Sequence, residues 1–244
     1  FLAGNDVAKA NYILVALSGA GINVLAILAT IFFLKESLVI ENRKPFGSIL
    51  NLFEKGTFSP EKIILPLFIC GLVFYTAMSL MEAIFPLWSN SIFDYGPTNI
   101  GTVFFMLGFI GVVVQGGLIG PMTKIAGEIK LVQIAAFFVA LGLMLIGLSK
   151  ETSILWMGLF FYGLGAAIFN PCLSSLVSKC AKPYERGKFL GQYQSASAMG
   201  RIIGPTFSGV LYTNFIASAP LYVGALVILP IIVVIANFTL RKPI

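Results

Sequence analysis

Apolar residues in this chain neither alternate nor recur on a single helical stripe. They gather in unbroken runs separated by polar connections, and runs long enough to cross a bilayer occupy residues 12–34, 63–88, 98–120, 130–149, 153–177, 188–212 and 219–240. A crossing takes about 20 residues at ~1.5 Å each. The runs predict about seven transmembrane helices, and their continuity argues against the period-two alternation of a β-barrel. Because all but one of the connections are short, neighbouring helices are expected to be antiparallel. The expected fold class is an all-α membrane protein, a polytopic helical bundle.

The one long connection, residues 35–62, separates a leading helix within 1–34 from a six-helix block at 63–244. Inside it Phe46, Ile49, Leu50 and Phe53 follow Pro45 at the spacing of a short amphipathic helix lying on the membrane surface. Ser59, Pro60 and Glu61 then read as an N-cap, a first-turn proline and an acid that offsets the helix dipole. Pro66, Pro86, Pro171, Pro205 and Pro230 fall within the runs. In a bundle such prolines kink helices and are tolerated where neighbours satisfy the freed carbonyls. Small residues share faces in two runs: Gly101, Gly108 and Gly111 with Gln115, and Ser197, Gly200, Gly204 and Ser208 with Gly187 and Gly191 below them. Close helix packing is the plain reading of both faces, and a sliding surface between two halves of a transporter is the sharper one.

Charge gives the runs an orientation. Only 11% of residues are charged, against roughly 25% in soluble domains. Taken alternately, the connections put Lys35, Arg43, Lys44, Lys55, Lys62, Lys124, Lys130, Lys179, Lys182, Arg186, Lys188, Arg241 and Lys242 on one side, and only Lys9 and Lys150 on the other. This positive-inside pattern places loops 35–62, 121–130 and 178–188 and the C-terminus in the cytoplasm of a cell that carries the chain as a multi-pass protein of its inner or plasma membrane. The net charge of +6 is then a topology device, and no nucleic-acid partner is expected. With no histidine and three scattered cysteines, Cys70, Cys172 and Cys180, neither a metal site nor a disulfide framework is indicated. The chain opens on Phe1 with no basic segment leading into an apolar one, so no signal peptide is expected, and the chain is expected to start within a longer protein.

Polar groups inside the runs carry the candidate chemistry. Arg201 lies near the midpoint of the sixth run, where an arginine costs at least ~2.5 kcal/mol on insertion scales unless it has a partner or a wet path. Glu82 lies in the second run, roughly 10 Å outward of its midpoint. Gln115 and Asn170 fall on the cytoplasmic side of centre in the third and fifth runs, and Asn23 lies in the first. On the sixth run Gln194, Ser197, Arg201, Gly204 and Ser208 line up at helical spacing. Two readings stand side by side. In one, Glu82 and Arg201 are a buried structural pair and the amides are interhelical glue. In the other they form a graded polar path in which Glu82 carries a proton or contacts substrate while Arg201 tunes it. No nucleophile with a partner base and no phosphate-binding loop is found, so no enzyme and no cofactor is expected.

The run from Pro183 to Tyr212 resembles the tenth-loop and eleventh-helix region of the major facilitator superfamily, in particular its drug:proton antiporters of the tetracycline-efflux type. The pattern E-R-G-x-x-x-G…G-R-x-x-G-P-x-x-x-G is carried by Glu185, Arg186, Gly187, Gly191, Gly200, Arg201, Gly204, Pro205 and Gly209. Residues 120–128 are similar to the C-half copy of the cytoplasmic loop motif G-x-x-x-D-R-x-G-R, matching at Gly120 and Gly127 with Lys124 where the acid would stand. LKES at 34–37 looks like the L-P-E-S ending of a sixth helix, with lysine for proline. The resemblance implies that the runs correspond to helices six to twelve of a twelve-helix fold, that the first five helices belong to the same protein outside this chain, and that Glu82 and Asn170 line a central cavity.

The expected function is secondary active transport by alternating access, proton-coupled efflux of small organic or amphiphilic compounds, with the proton gradient as driving force and the lipid bilayer and a small-molecule substrate as partners. The 22 phenylalanines favour amphiphiles over sugars. The alternatives are a metabolite uptake carrier of the same fold and, from another class, a seven-helix receptor or sensor.

Overall fold

Proline opens helices in this chain as often as it bends them. In the computed structural model, which describes residues 12–33, 64–181 and 185–241, Pro66 lies in the first turn of α2 (Leu65–Phe93), Pro97 begins α3 (Pro97–Val113) and Pro220 lies in the first turn of α7 (Ala219–Ile228). There the missing N–H would have had no intrahelical partner, and the fixed φ suits the helix. Pro86 in α2, Pro171 in α5 (Thr152–Cys180) and Pro205 in α6 (Arg186–Asn214) sit inside their helices. Each removes the donor for the carbonyl four residues earlier, which belongs to Glu82, Ala167 and Arg201 respectively. Both intramembrane charges thus stand at a proline-freed carbonyl.

The third and fourth expected spans form one apolar stretch of 52 residues, Pro97–Leu148. α3 continues through a π-helical turn, Val114–Leu118, into α4 (Ile119–Leu148). What divides the stretch is Gly127, whose φ of 74° and ψ of 156° belong to a region that only glycine enters without strain. The seventh expected span is likewise divided, into α7 and α8 (Pro230–Arg241). Five described segments are long and apolar enough to cross a membrane, one of them this 52-residue stretch. Arg186–Asn214 is not among them, although its 29 residues would span. The expected amphipathic helix at Phe46–Phe53 and the N-cap at Ser59 lie outside the described residues, and α2 is described from Leu65.

α1 (Tyr12–Phe33) belongs to one unit, Phe1–Ser59, and α2 to α8 belong to a second, Pro60–Ile244. In the second unit α4 lies along α5, α2 lies along α6, and α7 packs on both α4 and α2. The α2–α6 contact is possible because Gly200 has no side chain: a Cβ there would stand 2.5 Å from the Leu72 carbonyl oxygen. Ser208 continues the seam by donating a hydrogen bond to the Leu80 carbonyl at 3.0 Å. At the ends, the Trp88 indole N–H donates to the Ser218 hydroxyl at 3.0 Å and the Tyr222 hydroxyl to the Gly147 carbonyl at 2.8 Å, tying α7 to its neighbours. The core is aromatic, with Phe74 and Phe169 stacked at 3.8 Å between ring centroids, and Phe85 and Trp88 packed together, fully buried, further along α2.

Candidate functional site

A cavity of about 310 Å³ opens between α2, α3 and α5. Its polar groups come from three elements: Glu82 from α2, Gln115 from the π-helical turn and Tyr162 from α5. Phe104, Leu107 and Met78 supply apolar wall, and Gly108 and Gly111 leave room on the α3 side. The polar residue of the π-turn is therefore also a wall residue, in keeping with the frequent placement of such turns at functional sites.

Gln115 has a second task. Its side-chain amide donates to the carbonyl of Ala167 at 3.4 Å, the carbonyl that Pro171 leaves without a backbone donor. In a span, where no water replaces a missing backbone donor, such a carbonyl needs a side-chain partner. Tyr162 is in the opposite condition. Its ring is 2% exposed, and its hydroxyl is buried without a hydrogen-bond partner among the described residues. Nothing in the sequence marks this tyrosine, which sits in an apolar run like any core aromatic. Only the packing of α5 against α2 and α3 brings it to the same cavity as an acid.

Glu82 and Arg201 do not form the ion pair that one reading of the sequence expects. The Arg201 guanidinium carbon lies instead 4.4 Å from the ring centroid of Tyr75, an aromatic about two helical turns before Glu82 on α2. On α6 Arg201 stands about 20° around the helix from Ser208 and about 60° from Gly204, both of which meet α2, so it borders the seam and stays exposed. Ser197, Gly204 and Ser208 of the expected polar face are buried against α2, and Gln194 and Arg201, at the edge of that same face, are exposed.

Asn170 does not join Glu82 in this cavity. It lies a turn further along α5, and its side-chain oxygen accepts a hydrogen bond from the Tyr193 hydroxyl of α6 at 3.4 Å. Asn23, expected to act between helices, donates to the Gly19 carbonyl of its own helix at 2.8 Å. Of the motif glycines, Gly200 and Gly204 meet α2, while Gly120, Gly187, Gly191 and Gly209 face open space and Gly127 forms the kink of α4. Glu185 precedes the first residue of α6 without a capping hydrogen bond from its side chain, Arg186 begins the helix, and Pro205 lies within it.

Sequence reasoning does not single out a second polar cluster that the fold assembles. Glu128, beside the Gly127 kink, forms an ion pair with Lys179 near the end of α5 and accepts a hydrogen bond from Ser175 at 3.3 Å. Its partners lie 51 and 47 residues away along the chain, which no local pattern reveals. Among the described residues no group of carboxylates and thiols is placed to hold a metal ion.

Known proteins share this architecture. A family model described as Major Facilitator Superfamily matches residues 7–205 and 117–244. The chain is similar to human "Major facilitator superfamily domain-containing protein 10", 28% identical over 145 residues that cover 58% of this chain and 32% of that protein. It is also similar to "Multidrug resistance protein 2" of Bacillus subtilis (strain 168), 26% identical over 197 residues covering 79% of this chain and 49% of that protein. The solved structure of the human organic anion transporter MFSD10 (TETRAN) superposes with a TM-score of 0.66 at 24% identity, over 72% of this chain and 42% of that one. The chain thus spans about half the length, or less, of the relatives it matches.

Proposed function

This chain belongs to the Major Facilitator Superfamily, and from that premise we propose that it works within a secondary transporter that exports small amphiphilic compounds by alternating access, driven by a proton gradient. Membership makes it a multi-pass membrane protein, and the relatives include a protein named for multidrug resistance. The seven-helix receptor is not favoured. The observation that carries the proposal is the wall of the α2–α3–α5 cavity: one carboxylate, Glu82, set among apolar side chains with an amide and a phenol nearby. A carboxylate in such surroundings can hold either a proton or a cationic group, and a binding site that accepts only one of them at a time couples their movements in opposite directions. The first five helices of the fold, supplied by the same protein, would complete the path, because sites in such folds form between two repeats. The basic connections would face the cytoplasm, together with the C-terminus.

The test is transport by the full coding sequence that contains these residues, in everted membrane vesicles under an imposed proton gradient. Glu82→Gln is expected to abolish uphill accumulation of a lipophilic amine while downhill movement of an uncharged amphiphile persists. Uphill transport at the wild-type rate by Glu82→Gln would sink the coupling role. A second reading, export of organic anions, is supported by the exposed Arg201 beside Tyr75 and by the likeness to a solved organic anion transporter. Preference of the same vesicles for a lipophilic carboxylate, lost in Arg201→Gln, would favour it.

A further inference from the structure

The Tyr162 hydroxyl is an unpaired donor in a place where pairing matters. Its ring lines the cavity that holds Glu82, and its oxygen is sealed beneath the wall in this conformation, with no acceptor within reach among the described residues. A buried hydroxyl without a partner is costly, and in a membrane span lipid chains cannot supply one. Such a group calls for an explanation, and a state of the site that pairs it supplies one. Gln115, which gives an amide hydrogen to the Ala167 carbonyl, and Glu82 line the same cavity, and neither accepts from the phenol.

We propose, resting on the transport reading above, that Tyr162 is a specificity-determining residue: its hydroxyl donates a hydrogen bond to an acceptor on the transported compound while Glu82 takes the compound's ammonium group. The ligand class is then narrower than amphiphilic amines at large. It is an amine with an ether, carbonyl or hydroxyl oxygen a few bonds from the nitrogen and an apolar body for the wall of Phe104, Leu107 and Met78. Entry of the ligand shifts the wall enough to uncover the phenol, and loss of the ligand seals it again. The unpaired hydroxyl of the empty site is the reason an amine lacking the oxygen is bound less well, since a site built around a hydrogen bond rejects the analogue that cannot make it.

The experiment uses two probes, the diphenylmethyl ether of dimethylaminoethanol and the hydrocarbon analogue in which the ether oxygen is a methylene. Equilibrium binding to the purified full-length protein and transport in vesicles are both measured, for wild type and Tyr162→Phe. Wild type is expected to bind the ether roughly ten-fold more tightly than the hydrocarbon analogue, a hydrogen bond's share of affinity. Tyr162→Phe is expected to erase that preference by weakening the ether alone, and to melt at a temperature equal to or above wild type when empty, because it removes an unpaired buried hydroxyl. A merely structural tyrosine would instead lose stability and weaken both probes alike. Equal binding of the two probes by wild type, an unchanged preference in Tyr162→Phe, or binding of neither probe overturns the inference. Wild type that binds both with the expected preference but moves neither uphill overturns the transport reading and leaves the role of Tyr162 in recognition supported.

Discussion

Gln115 donates a hydrogen bond to the carbonyl of Ala167 at 3.4 Å, and Ala167 stands four residues before Pro171, whose nitrogen has no hydrogen to offer that carbonyl. A residue of one helix thus repairs a defect in another. Gln115→Leu is expected to destabilise the bundle by about 1–3 kcal/mol, the cost of leaving a buried carbonyl unpaired. Pro171→Ala restores the backbone donor, so the double variant should recover most of the loss. Denaturant melts of all four proteins in detergent give the coupling, and additive effects would show that the two residues act independently.

The seam between α2 and α6 makes a contrast between glycines of the same helix. Gly200→Ala puts a methyl group against the Leu72 carbonyl and should cost about 1–3 kcal/mol by overpacking. Gly209→Ala meets nothing within 4 Å, and alanine suits a helix better than glycine by about 1 kcal/mol, so this variant should be neutral or stabilising. Thermal unfolding of the two variants checks the ordering.

Arg201 and Glu82 offer a negative result of equal use. Because Arg201 lies over Tyr75 and not on Glu82, exchanging their charges in Glu82→Arg, Arg201→Glu should fail to restore stability lost in either single variant. A cycle with Tyr75→Leu should instead couple to Arg201→Gln by about 0.5–1 kcal/mol, the range for an exposed cation over a ring. Full rescue by the charge exchange would mean that the two meet.

The Glu128–Lys179 pair is partly exposed, with the lysine at 54%. Pairs of this kind contribute about 0–1 kcal/mol. Glu128→Lys should place two lysines side by side and speed amide exchange at the end of α5, the double exchange Glu128→Lys, Lys179→Glu should restore protection, and added salt should shrink both effects. Exchange rates indifferent to either variant would show that the pair holds nothing.

The spans were legible because insertion depends on apolarity and length, quantities that can be counted along the chain. The polar positions were legible as positions: Glu82, Gln115 and Arg201 stand out because polar groups in a span are expensive. Their partners were not. Pairing depends on which way a helix is turned, and on α6 Gly200 and Gly204, whose missing side chains let α2 approach, leave Arg201 at the rim of the seam over Tyr75. Asn170 shows the same limit, since being in the expected helix did not set which neighbour it meets. Tyr162 left no trace at all, because a tyrosine in an apolar run reads as core until its hydroxyl is found without a partner.

The pairing of α6 with α2 also bears on how the protein is made. Arg186–Asn214 carries Gln194, Ser195, Ser197 and Arg201, and it is not among the segments apolar enough to enter a bilayer by composition. Its contact partner in α2 precedes it by 128 residues, as in the bond from Ser208 to Leu80. At about 5–20 residues per second of synthesis, α2 would wait roughly 6–25 s for it. During that interval the surface of α2 at Leu72 and Leu80 lacks the partner it has in the folded bundle. Insertion of this helix is thus expected to draw on its docking against α2 as well as on its own apolarity.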